Sequence, residues 1–159
     1  MNHEFVSLPA ADVLRAVSAQ TLARELFERI SNGRAAPIGA QRALPAIGGD
    51  FEGGIYAGLT LVDNTPFALV LLPGEAEEIN WKDARAWAEK QGGMLPSRID
   101  ALMLFENLKD SFKPEWHWTG TPSAGDEAYA WIQLFYDGTQ LTNPKSSHCR
   151  ARAVRRVAI

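Results

Sequence analysis

A single cysteine, Cys149, stands in a chain of 159 residues. One thiol cannot close an intramolecular disulfide and cannot supply a cysteine-rich zinc site. The three histidines, His3, His117 and His148, have no second ligand at metal-binding spacing, so each is read as structural or exposed. No metal and no other cofactor is expected. No run of about 18 apolar residues occurs, so no membrane-spanning helix is predicted. The opening Met1-Asn2-His3-Glu4-Phe5 lacks a basic stretch followed by an apolar one. No secretory signal is therefore expected, and synthesis in the cytoplasm is, with association with a virion left open. Gly48-Gly49 and Gly53-Gly54 do not precede a predicted helix, so a phosphate-binding loop is not supported. Internal repeats and low-complexity segments are also missing.

Acid and base nearly balance, 19 residues against 16, but the signs are unevenly placed. Lys145, Arg150, Arg152, Arg155 and Arg156 close the chain with no acid among them, and everything before Lys145 is correspondingly acidic. This argues against nucleic acid as a partner while leaving a basic final strand. Length and a hydrophobic content of 46% are those of one globular domain with a real core, not of a disordered chain.

Residues 8–31 read as helix, with Val13, Leu14, Val17, Leu22, Leu26, Phe27 and Ile30 recurring at helical steps and Ser31-Asn32-Gly33 as the stop. A helix-turn-helix over Val17–Ile30 is disfavoured by its balanced Arg24, Glu25, Glu28 and Arg29. Pro37, Pro45 and several glycines make the next stretch an extended arm. The expected organisation is a helical segment and linker over 1–50 and a domain over 51–159. In that domain Ile55–Val62 and Phe67–Leu72 are strands, turned by Asp63-Asn64-Thr65-Pro66. Asn80 caps a helix from Trp81 to Gln91 that stops at Gly92-Gly93, with Ala84, Trp87 and Ala88 facing inward. Ser97 and Asp100 form a capping box for a second helix, Arg98 to Leu108, with an apolar stripe of Ile99, Leu102, Met103, Phe105 and Leu108. Strands follow at Trp116–Thr119, at Ala128–Phe135 before an Asp137-Gly138 turn, and at Cys149–Val157. The fold class is α+β: a hairpin, two helices, then a run of antiparallel strands.

Several of these segments resemble a known family. Trp81 through Ser97, ending Gly92-Gly93-Met94-Leu95-Pro96-Ser97, looks like the first helix and following turn of bacterial C-type-lectin-like domains. Trp116-His117-Trp118-Thr119-Gly120-Thr121 looks like their tryptophan-rich strand, and the stretches 128–138 and 150–157 look like their final strands. Residues 52–159 are most similar to the phage and bacterial domain family DUF1566 and to the C-terminal domain of the Legionella collagen-like adhesins. The resemblance implies a C-type-lectin-like fold, two helices around twisted antiparallel sheets, preceded here by the N-terminal helical segment. It also implies a phage- or prophage-derived, adhesin-like binding module, often trimeric. Its partner would be a glycan (carbohydrate binding) or a cell-surface protein, and the alternative is a structural virion or assembly protein. Homo-oligomer formation through the N-terminal helix fits a weak single site that gains from multivalency.

Within that fold the sugar-binding calcium site needs many oxygen ligands. Trp131-Ile132-Gln133 and Thr142-Asn143-Pro144 offer few, and Asp137 is needed by its turn, so calcium is not expected. The formylglycine-generating enzymes share the fold and need an activated thiolate. Cys149, on one strand face with Ala151 and Ala153, reads instead as a small core residue, and no enzyme activity is expected. Glu75, Glu77 and Glu78 read as a solvated loop. What remains is a recognition surface of aromatic, amide and hydroxyl groups, Trp131, Gln133, Tyr136, Thr139, Gln140, Asn143, Lys145 and His148. Positions that vary in related diversified proteins lie in this region, as the resemblance implies. Trp131 and Phe135 lean toward the core, Gln133 on their face needs a polar partner, and Tyr136, Gln140, Asn143 and Lys145 are expected to face solvent. Arg150, Arg152, Arg155 and Arg156 read either as a strand face paired with acids or as a strip for sulfated or acidic glycans.

Overall fold

Asp63 and Asn64 both take positive φ, 49° and 61°, which short polar side chains tolerate and a two-residue hairpin turn requires. In the computed structural model, which describes residues 43–159, they join β2 (Gly54–Val62) to β3 (Thr65–Leu71), with β1 (Asp50–Phe51) paired outside β2. The expected helix over 8–31, its helix-turn-helix alternative and most of the arm lie outside the described residues. Pairing starts ahead of residue 51, because Gly48 donates to the Tyr56 carbonyl and Tyr56 to that of Gly49.

After β4 (Ala76–Ile79), α1 (Trp81–Lys90) begins where the Asn80 side chain accepts from the Asp83 amide at 3.0 Å. It ends at Gly92, φ 77°, whose N–H reaches Glu89 while that of Gly93 reaches Ala88, the paired closure that a left-handed glycine permits. Trp81, Ala84 and Ala88 are its buried face, and Trp87 is half-buried. The two alanines let the helix lie close on the strands beneath, and the Trp81 indole N–H donates to the Thr119 carbonyl at 2.8 Å.

α2 (Arg98–Leu108) carries the expected capping box: Ser97 Oγ accepts from the Asp100 amide at 3.1 Å and Asp100 Oδ2 from the Ser97 amide at 3.0 Å. Of its expected stripe, Leu108 is buried and Met103 and Phe105 pack half-buried against the core, but Ile99 and Leu102 do not. The buried residues are Asp100, Ala101, Leu104 and Leu108, whereas Ile99 is 70% exposed and Leu102 47%. Asp100 is the reason. Its side chain is fully buried, accepting from Thr60 Oγ1 at 2.8 Å and from Arg156 Nη2 at 2.5 Å. A carboxylate bonded on its inner side fixes the rotation of the helix, and Ile99 and Leu102 are turned outward.

A short 3₁₀ turn (Lys109–Ser111) leads to β5 (Trp116–Pro122), β6 (Tyr129–Leu134), β7 (Gln140–Pro144), β8 (Cys149–Ala151) and β9 (Val154–Ala158). The expected single strand over Cys149–Val157 is thus two strands in different sheets. One sheet runs β1-β2-β3-β9 and the other β4-β8-β5-β6-β7, antiparallel except where β5 meets β8. The crossing at Arg152-Ala153 is held by Arg152, which donates to the Ser111 and Leu72 carbonyls, and by Leu72, whose N–H reaches Ala153. The glutamates expected in a loop flank and occupy β4.

One core, around the fully buried Trp118, fills the space under α1 with Val70, Leu72, Ala84, Leu95, Ile132 and Ala151. A second, with Leu69, Leu71, Leu104, Leu108, Phe135 and Val154, lies under α2. The described residues form an α+β unit of two helices and two sheets. No helix among them is long and apolar enough to cross a membrane.

Burial pushes the Asp100 carboxyl up, but the bonds from Ser97, Thr60 and Arg156 outweigh it and hold it below the ordinary carboxylate range. Replacing Asp100 with Ala strands the Arg156 charge and unlocks the cap. It is expected to destabilise by about 3 kcal/mol, against about 1 kcal/mol for Thr60→Val. Urea midpoints of the two variants check this order.

Candidate functional site

The turn between β6 and β7 is built by Asp137 and Gly138. Asp137 Oδ1 accepts from the Thr139 amide at 2.9 Å, which holds the carboxyl below its usual range, and Gly138 supplies φ 84°. The register that follows pairs Gln133 with Gln140 and Trp131 with Thr142, so these four side chains share one face, the face toward α2.

Gln133 is fully buried there and has the polar partners its position demands. Its amide donates to the Ala101 carbonyl at 2.7 Å, and its oxygen accepts from Gln140 Nε2 at 2.7 Å. Gln140 Nε2 also donates to the Arg98 carbonyl at 2.9 Å, and Gln140 Oε1 accepts from Arg98 Nε at 3.1 Å. Gln140 is therefore not the free solvent-facing amide expected. It is half-buried, and both ends of its side chain are committed to tying the hairpin to the start of α2. Arg98 completes the arrangement by lying flat on Trp131, with its guanidinium carbon 3.4 Å from the ring centroid.

Above this relay lies an open groove of about 450 Å³, lined by Ser97, Arg98, Ile99, Leu102, Thr121 and Gln140. Thr121 Oγ1 accepts from the Arg98 amide at 3.3 Å. At the β6–β7 turn Tyr136 is 68% exposed, its carbonyl held by Lys109 Nζ at 2.7 Å, and Thr139 is exposed.

The structure thus gathers Trp131, Gln133 and Gln140 about Arg98 and sets Tyr136 and Thr139 at the β6–β7 turn. It places the other candidates elsewhere. Asn143 pairs with the core residue Ala130, on the opposite face, and is half-buried, with Nδ2 3.6 Å from Cys149 Sγ. Lys145 is half-buried as well, its ammonium 2.5 Å from the Glu127 carbonyl and 4.5 Å from the Trp81 ring centroid. Exposed His148 lines a second groove of about 460 Å³ with Trp116, Glu115, Cys149 and Arg150. Arg98, Ile99, Leu102 and Thr121 were not anticipated. One signal for Arg98 was available: position 102, one helical turn on, is leucine where a paired cation would have an acid.

The C-terminal arginines do not form a strip. Arg150 bonds Glu77 at 2.6 Å and Glu115 at 2.7 Å, with Glu75 at 3.5 Å, and these acids keep it still more firmly protonated. Arg155 donates to the Gly92 and Glu52 carbonyls, Arg156 to Asp100, and Arg152 to the two carbonyls at the crossing. Glu75, expected to be solvated, is a half-buried partner of both Arg150 and His117. Burial pushes the Cys149 thiol up, against a weaker opposite pull from Asn143, which leaves it poorly ionised at neutral pH. Among the described residues no group of three or more His, Cys, Asp or Glu side chains is placed to hold a metal ion. No protein-family model matches the chain, and no curated protein is found similar to it.

His117 is buried against Phe112 and Phe135, with Nδ1 2.9 Å from the Glu115 carbonyl and Nε2 3.2 Å from Glu75. Burial holds its pKa below the ordinary imidazole value, although both acceptors pull upward. The unfolded chain takes up a proton as pH falls through about 6.5, and the folded chain does so only at lower pH. Stability is therefore full above that value and declines below it, by at most about 1.4 kcal/mol per pH unit. Urea midpoints at pH 7.5, 6.5 and 5.5 are expected to fall only over the lower interval, and His117→Gln is expected to flatten that fall.

Proposed function

We propose that this chain is a non-catalytic ligand-binding module of the C-type-lectin-like kind, related to the DUF1566 domains and of phage or prophage origin. It recognises a glycan or a cell-surface partner through the outer side of α2 and the β6–β7 turn. The observation that carries this reading is the groove itself. Ile99 and Leu102 stand exposed in it beside polar groups, on a framework that hydrogen bonds hold rigid, and Tyr136 is exposed at the β6–β7 turn. Exposed apolar side chains rimmed by polar ones are what recognition surfaces are made of. The element order supports the fold half of the proposal: a hairpin, two helices joined through Gly92-Gly93-Met94-Leu95-Pro96-Ser97, then strands that return to the first sheet.

A second reading, an assembly subunit that uses the fold for protein contact, is favoured by Leu59 and Leu61, both exposed on β2 in the other sheet. Binding of the purified protein to a glycan array, with and without calcium, separates the two. Saturable binding without calcium is expected, weakened by at least about tenfold in a Leu102→Ser, Tyr136→Ala double variant. Both side chains are exposed, so the variant should keep its fold. Absence of saturable binding to any glycan by folded protein would sink the glycan reading in favour of protein contacts. Binding unchanged by the variant would put the site elsewhere.

A further inference from the structure

We propose that Arg98 anchors a subsite for the carboxylate of an acidic sugar residue, a uronic or sialic acid. The proposal deepens the ligand-binding reading and rests on it. The arginines of the last two strands and their crossing are each bonded to carboxylates or carbonyls of the protein. Arg98 is held differently. Its face is covered by Trp131 and its Nε is bonded to Gln140, while both terminal nitrogens have no partner among the described residues. A guanidinium fixed in plane and in rotation, with the far edge of its fork open, suits bidentate capture of a carboxylate at little entropic cost.

The groove around it is built for an acceptor-rich ligand. Its lining contains no acid. Ser97 Oγ accepts from the Asp100 amide and Thr121 Oγ1 from the Arg98 amide, so each hydroxyl still has its own hydrogen to donate. Asp100 does not cancel the Arg98 charge, because its carboxylate is fully buried and paired with Arg156. Nor does the end of α2 act as the site, since the amides of residues 98 and 100 are already bonded to these two hydroxyls. One open cation matches a single negative charge better than a phosphate dianion. The aliphatic flank of Ile99 and Leu102 then gives the C–H face of a pyranose ring somewhere to rest, while its hydroxyls meet Ser97 and Thr121.

The test is calorimetric titration of the full chain with 3′-sialyllactose, lactose, a hyaluronan tetrasaccharide and its carboxyl-reduced counterpart, and a sulfated neutral saccharide. At least one of the acidic saccharides is expected to bind about tenfold or more tighter than its neutral counterpart. Arg98→Lys, which keeps the charge and removes the fork, should lose that preference. Ile99→Asp, at an exposed position near the start of α2 where an acid is tolerated, should lose it by repulsion without disturbing the fold, so the idea stays testable even where the Arg98 variant is unstable. Equal binding of acidic and neutral saccharides would overturn the carboxylate subsite and leave the binding module standing, as would a preference that survives both substitutions or binding of the sulfated sugar alone. Failure of every saccharide to bind folded protein would overturn the subsite, and the glycan array then decides whether the glycan reading falls with it.

Discussion

Asp100 pins α2 to the sheet formed by β1, β2, β3 and β9. Its carboxylate takes one bond from β2 through Thr60, one from β9 through Arg156, and one from the Ser97 amide at the entrance to its own helix. A buried carboxylate is tolerated only when its lone pairs are filled and its charge is met, and here both conditions hold. α2 can then turn in only one way. That rotation buries Ala101, Leu104 and Leu108, exposes Ile99 and Leu102, and carries Arg98 onto Trp131. The open groove is thus a consequence of the buried charge, set by where the helix is pinned.

The second attachment of α2 is made of amides. Gln133 reaches the Ala101 carbonyl, and Gln140 reaches both Gln133 and the backbone and side chain of Arg98. In a buried position each such bond contributes modestly, but leaving one unmade costs the full desolvation of the group. The relay therefore acts as a register lock between hairpin and helix. A one-residue slip of β7 would put Leu141 where Gln140 is and leave Gln133 without its acceptor role filled. Rigidity of this kind is what lets a shallow groove hold a guanidinium in a fixed pose.

Local signals were legible in the chain, and distant partners were not. Asn80, Ser97 with Asp100, Gly92-Gly93 and Asp63-Asn64 declare their caps and turns because the chemistry that makes them lies within a few residues. The parity that placed Gln133 on the face of Trp131 and Phe135 foretold a polar partner without saying which. On α2 the expected stripe holds for Met103, Phe105 and Leu108 and fails for Ile99 and Leu102, which look like core positions until Asp100 is known to be bonded inward. The strand expected over Cys149–Val157 broke because alternation of small residues with arginine says nothing about which sheet each half joins. Gln140 was expected in solvent for the same reason: its partners lie 42 and 7 residues away.

The basic end of the chain shows how charge in a sequence differs from charge on a surface. Arg150, Arg152, Arg155 and Arg156 look like a strip for anions when written in a row. The two-sheet topology instead sends them to separate places, and each finds an acceptor in the acidic remainder of the protein. A guanidinium bonded to its own protein must break those bonds to bind a ligand, so its presence near a surface confers little affinity. Arg98 follows the opposite logic. It comes from the acidic part of the chain, it has no acid a helical turn away, and its held face and Nε leave only the terminal nitrogens to act. What leaves a cation available to a ligand in this fold is thus its saturation state, not the density of positive charge around it.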